Sequence, residues 1–319
     1  MPYPLLPRAP HGGPQAPDDA VLDFSVNANP LGPNPALVAA WQAADLTRYP
    51  DPTYRQAREA LGALHGYPPD GVVLGVGASE LLHRLVRAFV SPGDLVISLG
   101  APFGEFERAV ALQQASLRVV PRDLSAIPDG TRLVYLSNPH NPTGHYLDLA
   151  RLPAAPLIVV DEAYLPFVAS GTSPAPQPNV VRLQSPGKAH GLLGMRLAYA
   201  LADPAVAAQL ENLQPAWAFP AANAAALAAL PRQQEFLDAT LPTIRAWAHD
   251  LARALGATPT GIHFFTVPVP DAARVAATLL ERSLRVRDCT SFGRPDLIRV
   301  ATRRPEDNRR LVEAWEERL

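Results

Sequence analysis

"RLVYLSNPHNPTG", residues 132–144, runs from an apolar stretch of strand length straight into a turn held by two prolines and a glycine. Proline fixes φ and glycine opens tight turns, so Asn138 and Asn141 sit on a stiff backbone. A second apolar run, "LIVVDEAY" at 157–164, ends in Asp161 and Glu162. Short uninterrupted apolar runs read as strands buried on both faces, the mark of a parallel sheet covered by helices. In such sheets ligands gather beyond the carboxyl ends of the strands, where these polar residues lie.

Outward from this pair the chain keeps alternating. LVISLG (95–100), LRVV (117–120), VVRLQS (180–185) and RLAYALA (196–202) read as strands, and SELLHRLVRAFV (79–90) and EFERAVALQQ (105–114) as helices. This predicts an α/β fold with a mostly parallel central sheet flanked by helices. After about residue 210 the character changes. AANAAALAAL (221–230) and PTIRAWAHDLARAL (242–255) are helical, and DAARVAATLLERS (271–283) is a further helix. HFFTVPV (263–269) and LIRVAT (297–302) are strands, and the chain closes on a helix with Pro305 in its first turn. These predict a smaller α+β domain. The expected division is 1–44 as an N-terminal arm and part of the small domain, 45–210 as the large domain, and 211–319 as the small one. Residues 1–20 read as an extended arm and 166–178 as a loop.

The bulk numbers exclude several classes. At 319 residues with 48% apolar content the chain has a large core. A net charge of -2 gives no basic surface for nucleic acid or an anionic membrane. No apolar run approaches the roughly 20 residues of a membrane span, and the N-terminus lacks the pattern of a signal peptide. Cys289 is the only cysteine, so no internal disulfide forms and a reducing cytoplasm is expected. No metal site is expected.

Two further stretches carry chemistry. GVGASE (75–80) leads into a helix, which presents free backbone N–H groups and a positive dipole end suited to a phosphate. SPGKAHGLLGMR (185–196) holds Lys188, the only lysine; every other one of the 28 basic residues is arginine. Guanidinium stays protonated, whereas a desolvated lysine amine becomes neutral and condenses with an aldehyde. A chain that favours arginine keeps lysine where imine chemistry requires it. Glycines and small residues around Lys188 let a ligand approach the backbone, and Arg196 can grip a phosphate with two donors. An amine, an acid, an amide donor and a phosphate seat, in that arrangement at strand ends, are the needs of pyridoxal 5'-phosphate.

With these motifs the chain resembles the fold-type I pyridoxal-phosphate enzymes, the aspartate aminotransferase superfamily, over nearly its whole length. The order glycine turn, N-P-x-N-P-T-G, D-E-A-Y, S-x-x-K and G-x-R carries the resemblance. "NANPLGPNP" and "RYPDP" point to the branch holding histidinol-phosphate aminotransferases and threonine-phosphate decarboxylases. The resemblance implies that Lys188 binds the cofactor aldehyde, Asp161 pairs with the ring nitrogen, and Asn141 and Tyr164 reach the phenolate oxygen. It implies that Gly77, Ala78, Ser79, Ser185 and Arg196 hold the phosphate, that Phe103 stacks on the ring, and that Tyr49 reaches the phosphate in the neighbouring subunit of a homodimer. Arg299 would grip an acidic group of the substrate.

"HGG" at 11–13 and "VRDCTSFG" at 286–293 resemble the decarboxylase, which adds His11, Gly12, Asn27 and Arg287 to the expected substrate site. The leading expectation is therefore decarboxylation of L-threonine O-3-phosphate in cobalamin assembly. The alternative is a histidinol-phosphate or related aminotransferase, favoured by Tyr164 where the decarboxylases often carry Phe. In both the substrate is a small phosphorylated amino acid or amino alcohol. A protein that binds the cofactor without catalysis is the third reading.

Overall fold

The computed structural model describes residues 3–16, 20–150 and 152–317. In chain order its regular elements begin with β1 (Leu22–Asp23), α1 (Pro35–Gln42), α2 (Arg55–His65), β2 (Val72–Val76), α3 (Ala78–Phe89), β3 (Leu95–Leu99) and α4 (Gly104–Leu112). Then come β4 (Ser116–Val120), β5 (Thr131–Ser137), β6 (Leu157–Asp161), β7 (Val180–Gln184), β8 (Leu197–Leu201), α5 (Pro204–Glu211) and α6 (Ala221–Ala229). The last are α7 (Gln234–Ala254), β9 (Phe264–Pro268), α8 (Ala272–Glu281), β10 (Leu284–Arg285), β11 (Arg287–Asp288), β12 (Leu297–Ala301) and α9 (Pro305–Glu316).

The central sheet has seven strands in the order β2-β8-β7-β6-β5-β3-β4. The five strands β3 to β7 pair in parallel, as expected. β4, expected as a buried strand, lies instead at the sheet edge and leaves Ser116, Arg118 and Val119 exposed, because it has a neighbour on one side only. β8 departs from that expectation and lies antiparallel to both β7 and β2. A parallel return needs a crossover of a dozen or more residues, usually a helix. The link from β7 to β8 is instead the lysine turn, whose only regular piece is one 3-10 turn at Leu193–Met195. β2 leads into the glycine turn of GVGASE. Gly75 is there for packing: a Cβ on it would lie 2.4 Å from Cγ of Leu81, so α3 lies flat on the sheet.

Leu81, Leu85, Phe106, Leu133, Tyr135 and Val159 fill one side of this sheet. Leu37, Leu61, Leu74, Tyr199 and Leu227 form a second core cluster with α1, α2 and α6. A three-stranded antiparallel sheet, β11-β12-β9, packs with α8 and α9 around Phe24, Phe265, Leu279, Ile298 and Leu311. β1 pairs with β10, so the segment after the arm belongs with the C-terminal part. α7 starts eight residues ahead of its expected start, with Pro242 inside it. An interior proline costs a helix about 3 kcal/mol, and burial of Leu241, Ile244, Ala248 and Leu251 offsets it.

Candidate active site

The carboxyl ends of β5, β6 and β7, the first turns of α3 and α4, the arm and the β11–β12 pair enclose a cavity of about 600 Å³. Lys188, Asp161, Tyr164, Asn141, Ser185 and Arg196 line it, as do Ala78, Ser79 and Phe103. So do His11, Gly12, Asn27, Arg287 and Arg299. Residues nearly three hundred positions apart in sequence thus meet at one place. Gly77 stands just behind the wall, at φ +85°, and a Cβ on it would fall 2.4 Å from Nη2 of Arg196. Only glycine fits there, and its absence of a side chain lets the guanidinium lie over the start of α3. The first-turn N–H groups of a helix have no partner within it, so Ala78, Ser79 and Arg196 converge on a seat for a dianion. Tyr49 is elsewhere: it is 78% exposed and stacks on Trp217 with ring centroids 4.6 Å apart.

Nζ of Lys188 donates to Oγ of Ser185 at 3.2 Å and lies 5.2 Å from the centre of the Tyr164 ring. The turn carrying it is braced from behind by residues 29–34. The backbone N–H of Asn29 donates to Lys188 O and its Nδ2 to Ala189 O, both at 2.9 Å. The N–H of Asn34 donates to His190 O at 2.9 Å, and its Nδ2 lies 3.1 Å from Nδ1 of His190. Gly32 meets this turn so closely that a Cβ would sit 2.6 Å from Cα of Gly191. The NANPLGPN stretch is therefore a support for the lysine, apart from Asn27, which faces the cavity. The two amide atoms of Asn27 are buried without a hydrogen-bond partner.

Asp161 and Glu162 point to opposite faces, as successive strand-end residues do. Glu162 pairs with Arg182 at 3.1 Å and also accepts from Gln184. Burial pushes its carboxyl up in pKa against the pull of Arg182. Asp161 is held by neutral donors: Tyr135 donates its hydroxyl to Oδ2 at 3.0 Å and the N–H of Ala163 donates to Oδ1 at 3.1 Å. Its carboxyl lines the cavity.

The opposite wall is cationic. Arg287 and Arg299 are register partners across β11 and β12, so their side chains share a face. Nη1 of Arg299 donates to Oδ1 of Asn141 and Nη2 to Ser25 O, the latter at 2.6 Å, while Nε is buried without a partner. Nη2 of Arg287 donates to Pro10 O at 3.0 Å and to Oγ of Ser291 at 2.7 Å. Burial lowers the pKa of both arginines. Nε2 of His11 lies 3.0 Å from Oε1 of Glu105, whose other oxygen lies 2.9 Å from Nε2 of His83. Tyr135 and Ser291 also line the cavity and were not singled out in the sequence. For Tyr135 a signal existed: two-residue periodicity puts it on the same face of β5 as Ser137.

One lysine beside a carboxylate, an amide and a dianion seat fit the aldehyde, ring nitrogen, phenolate and phosphate of pyridoxal phosphate. The fold and this site define a pyridoxal-phosphate-dependent enzyme. The chain belongs to the family described as aminotransferase class I and II, whose profile matches residues 19–314. It is 35% identical to the histidinol-phosphate aminotransferase of Symbiobacterium thermophilum, over 92% of this chain and 89% of that one. The histidinol-phosphate aminotransferase of Sinorhizobium meliloti, solved with pyridoxal-5'-phosphate, superposes with a TM-score of 0.81 at 27% identity, covering 92% of this chain and 89% of that chain. The L-threonine-O-3-phosphate decarboxylase of Porphyromonas gingivalis shares the fold, with a TM-score of 0.83 at 20% identity, over 93% and 99% of the two chains. Among the described residues no helix is long and apolar enough to cross a membrane.

Proposed function

We propose that this protein is a cytoplasmic, homodimeric aminotransferase acting on a phosphorylated amino alcohol, with histidinol phosphate as substrate. The sequence motifs alone had put decarboxylation of phosphothreonine first. The 35% identity to a histidinol-phosphate aminotransferase, spread over nine-tenths of both chains, supports the alternative. The decarboxylase is similar only in fold.

When bound, pyridoxal phosphate supplies an aldehyde for amines and a conjugated ring that accepts an electron pair. Lys188 Nζ would hold the cofactor aldehyde and, once displaced by the substrate amine, would be the base that carries the proton from the amine-bearing carbon of the substrate to the former aldehyde carbon. Asp161 would face the ring nitrogen and hold its proton. Asn141 and Tyr164 would hydrogen-bond the phenolate oxygen, Phe103 would cover the ring, and Ala78, Ser79, Ser185 and Arg196 would fix the phosphate beside Gly77. Arg287 and Arg299 take the anionic group of the substrate, with Asn27, His11 and Gly12 shaping the rest. Tyr49, exposed on the surface, contributes to the neighbouring subunit's phosphate seat. We further propose that the chain divides at about residues 44 and 210, as its sequence pattern suggests.

The deciding assay offers histidinol phosphate with 2-oxoglutarate, and in parallel phosphothreonine alone. Glutamate formation without CO₂ release supports this reading. CO₂ release from phosphothreonine without amino transfer replaces it with the decarboxylase, and no turnover of either leaves a related aminotransferase of another substrate or a non-catalytic cofactor-binding protein.

A further inference from the structure

Asp161 and Glu162 are adjacent buried carboxylates held by opposite means. Glu162 has the guanidinium of Arg182 to neutralise it. Asp161 has a phenol and a backbone amide, one on each oxygen. The phenol comes from Tyr135, whose side chain is wholly buried. Its ring stacks on that of Phe106 with centroids 4.4 Å apart and planes 18° apart. Phe106 is itself wholly buried in the core.

We propose that Tyr135 is a positioning residue: its hydroxyl locks the rotation of the Asp161 carboxylate and so sets how firmly that carboxylate holds a protonated ring nitrogen. The inference rests on the reading that Asp161 faces that nitrogen. Rotation about the last torsion of aspartate is broad and weakly restrained. Two donors on two oxygens remove that freedom, and the Phe106 stack fixes where the hydroxyl points. A cation in the place of Tyr135 would hold the carboxylate equally well but neutralise it. A neutral donor fixes the group and leaves its charge available to the ring. Burial, and then the charge of Asp161, push the Tyr135 phenol well above its ordinary range. It therefore stays protonated, and a donor, throughout the working pH range.

The test compares Tyr135→Phe and Asp161→Asn with the parent, each loaded with pyridoxal phosphate. Three quantities are read: thermal midpoint, the pH midpoint of the cofactor's visible band, and kcat and KM for amino transfer. A protonated ring lowers the pH at which the band titrates, so a loosened carboxylate raises it. Tyr135→Phe keeps the aromatic stack and is expected to keep the thermal midpoint within a few degrees. Its band midpoint is expected to rise by about one unit, the scale of one hydrogen bond to a charged group. The kcat falls about tenfold with KM within about twofold. A folded Tyr135→Phe protein with an unmoved band midpoint overturns the proposal. So does a Phe variant that does not fold, because the hydroxyl is then structural. Asp161→Asn separates the two levels. If it collapses turnover while Tyr135→Phe changes nothing, only the role of Tyr135 fails. If Asp161→Asn keeps the parent spectrum and turnover, the reading of Asp161 itself is wrong.

Discussion

Oδ1 of Asn141 accepts a hydrogen bond from Nη1 of Arg299. The proposed phenolate ligand and the proposed substrate-anion ligand thus share one contact across the cavity. Anything that draws Arg299 toward the substrate changes what Asn141 offers the cofactor. The arginine is buried and its other terminal nitrogen is committed to Ser25 O, so it delivers charge with a fixed orientation.

Arg299→Lys keeps the charge and loses the planar fork. The lysine cannot satisfy Asn141 and Ser25 O together while facing a substrate anion. KM for the phosphorylated substrate is expected to rise about 10- to 100-fold, matching the 1.5–3 kcal/mol typical of a charged hydrogen bond. Steady-state kinetics check this, and an unchanged KM removes Arg299 from the substrate site.

Lys188→Arg tests why one lysine persists among arginines. The guanidinium fills the space and keeps a positive charge but neither condenses with the aldehyde nor gives up its proton. Activity is expected to drop at least about a thousandfold, the scale of the acid–base help that the amine contributes. Borohydride reduction followed by peptide mapping should label Lys188 in the parent and nothing in the variant.

Asn29→Ala removes bonds at a distance from the cavity. The Asn29 side chain donates to Ala189 O and Oγ1 of Thr240 and accepts from the N–H of Leu31. At about 1 kcal/mol each, the loss is about 3 kcal/mol. Urea unfolding of the apoprotein should show it, and cofactor affinity should weaken because the lysine turn loses its brace.

Acid should destabilise the chain in a defined window. Burial lowers the pKa of His190 to about 4, and burial followed by the nearby Arg122 charge lowers that of His140 to about 3. Both imidazoles are almost wholly buried. Unfolded, they take protons near pH 6.5. Between those values the unfolded chain binds more protons, so stability is full above about pH 6.5 and falls as pH drops toward 4. The loss is on the order of 3 kcal/mol for each histidine. His190→Gln should flatten that slope in urea titrations at pH 7.5, 6.0 and 4.5, and an unaltered slope would reject the assignment.

Much of the site was legible because strand periodicity and turn chemistry are local. Asn141, Asp161 and Lys188 each follow an apolar run, and an α/β sheet must gather such ends. The direction of β8 was not legible, since nothing in its composition distinguishes a return by turn from a return by helix. The function of residues 29 and 34 was hidden too, because their partners lie far along the chain. Tyr135 read as one more apolar strand residue, for its hydroxyl matters only through where Asp161 ends up.

The linear order of residues was enough to settle the cofactor class and the parallel body of the sheet. Both follow from side-chain chemistry and from spacing between neighbours. Packing alone decided which carboxylate faces an arginine and which a phenol, and which asparagines brace and which face the cavity. Those assignments depend on contacts between distant segments, and they exist only once burial has brought the segments together.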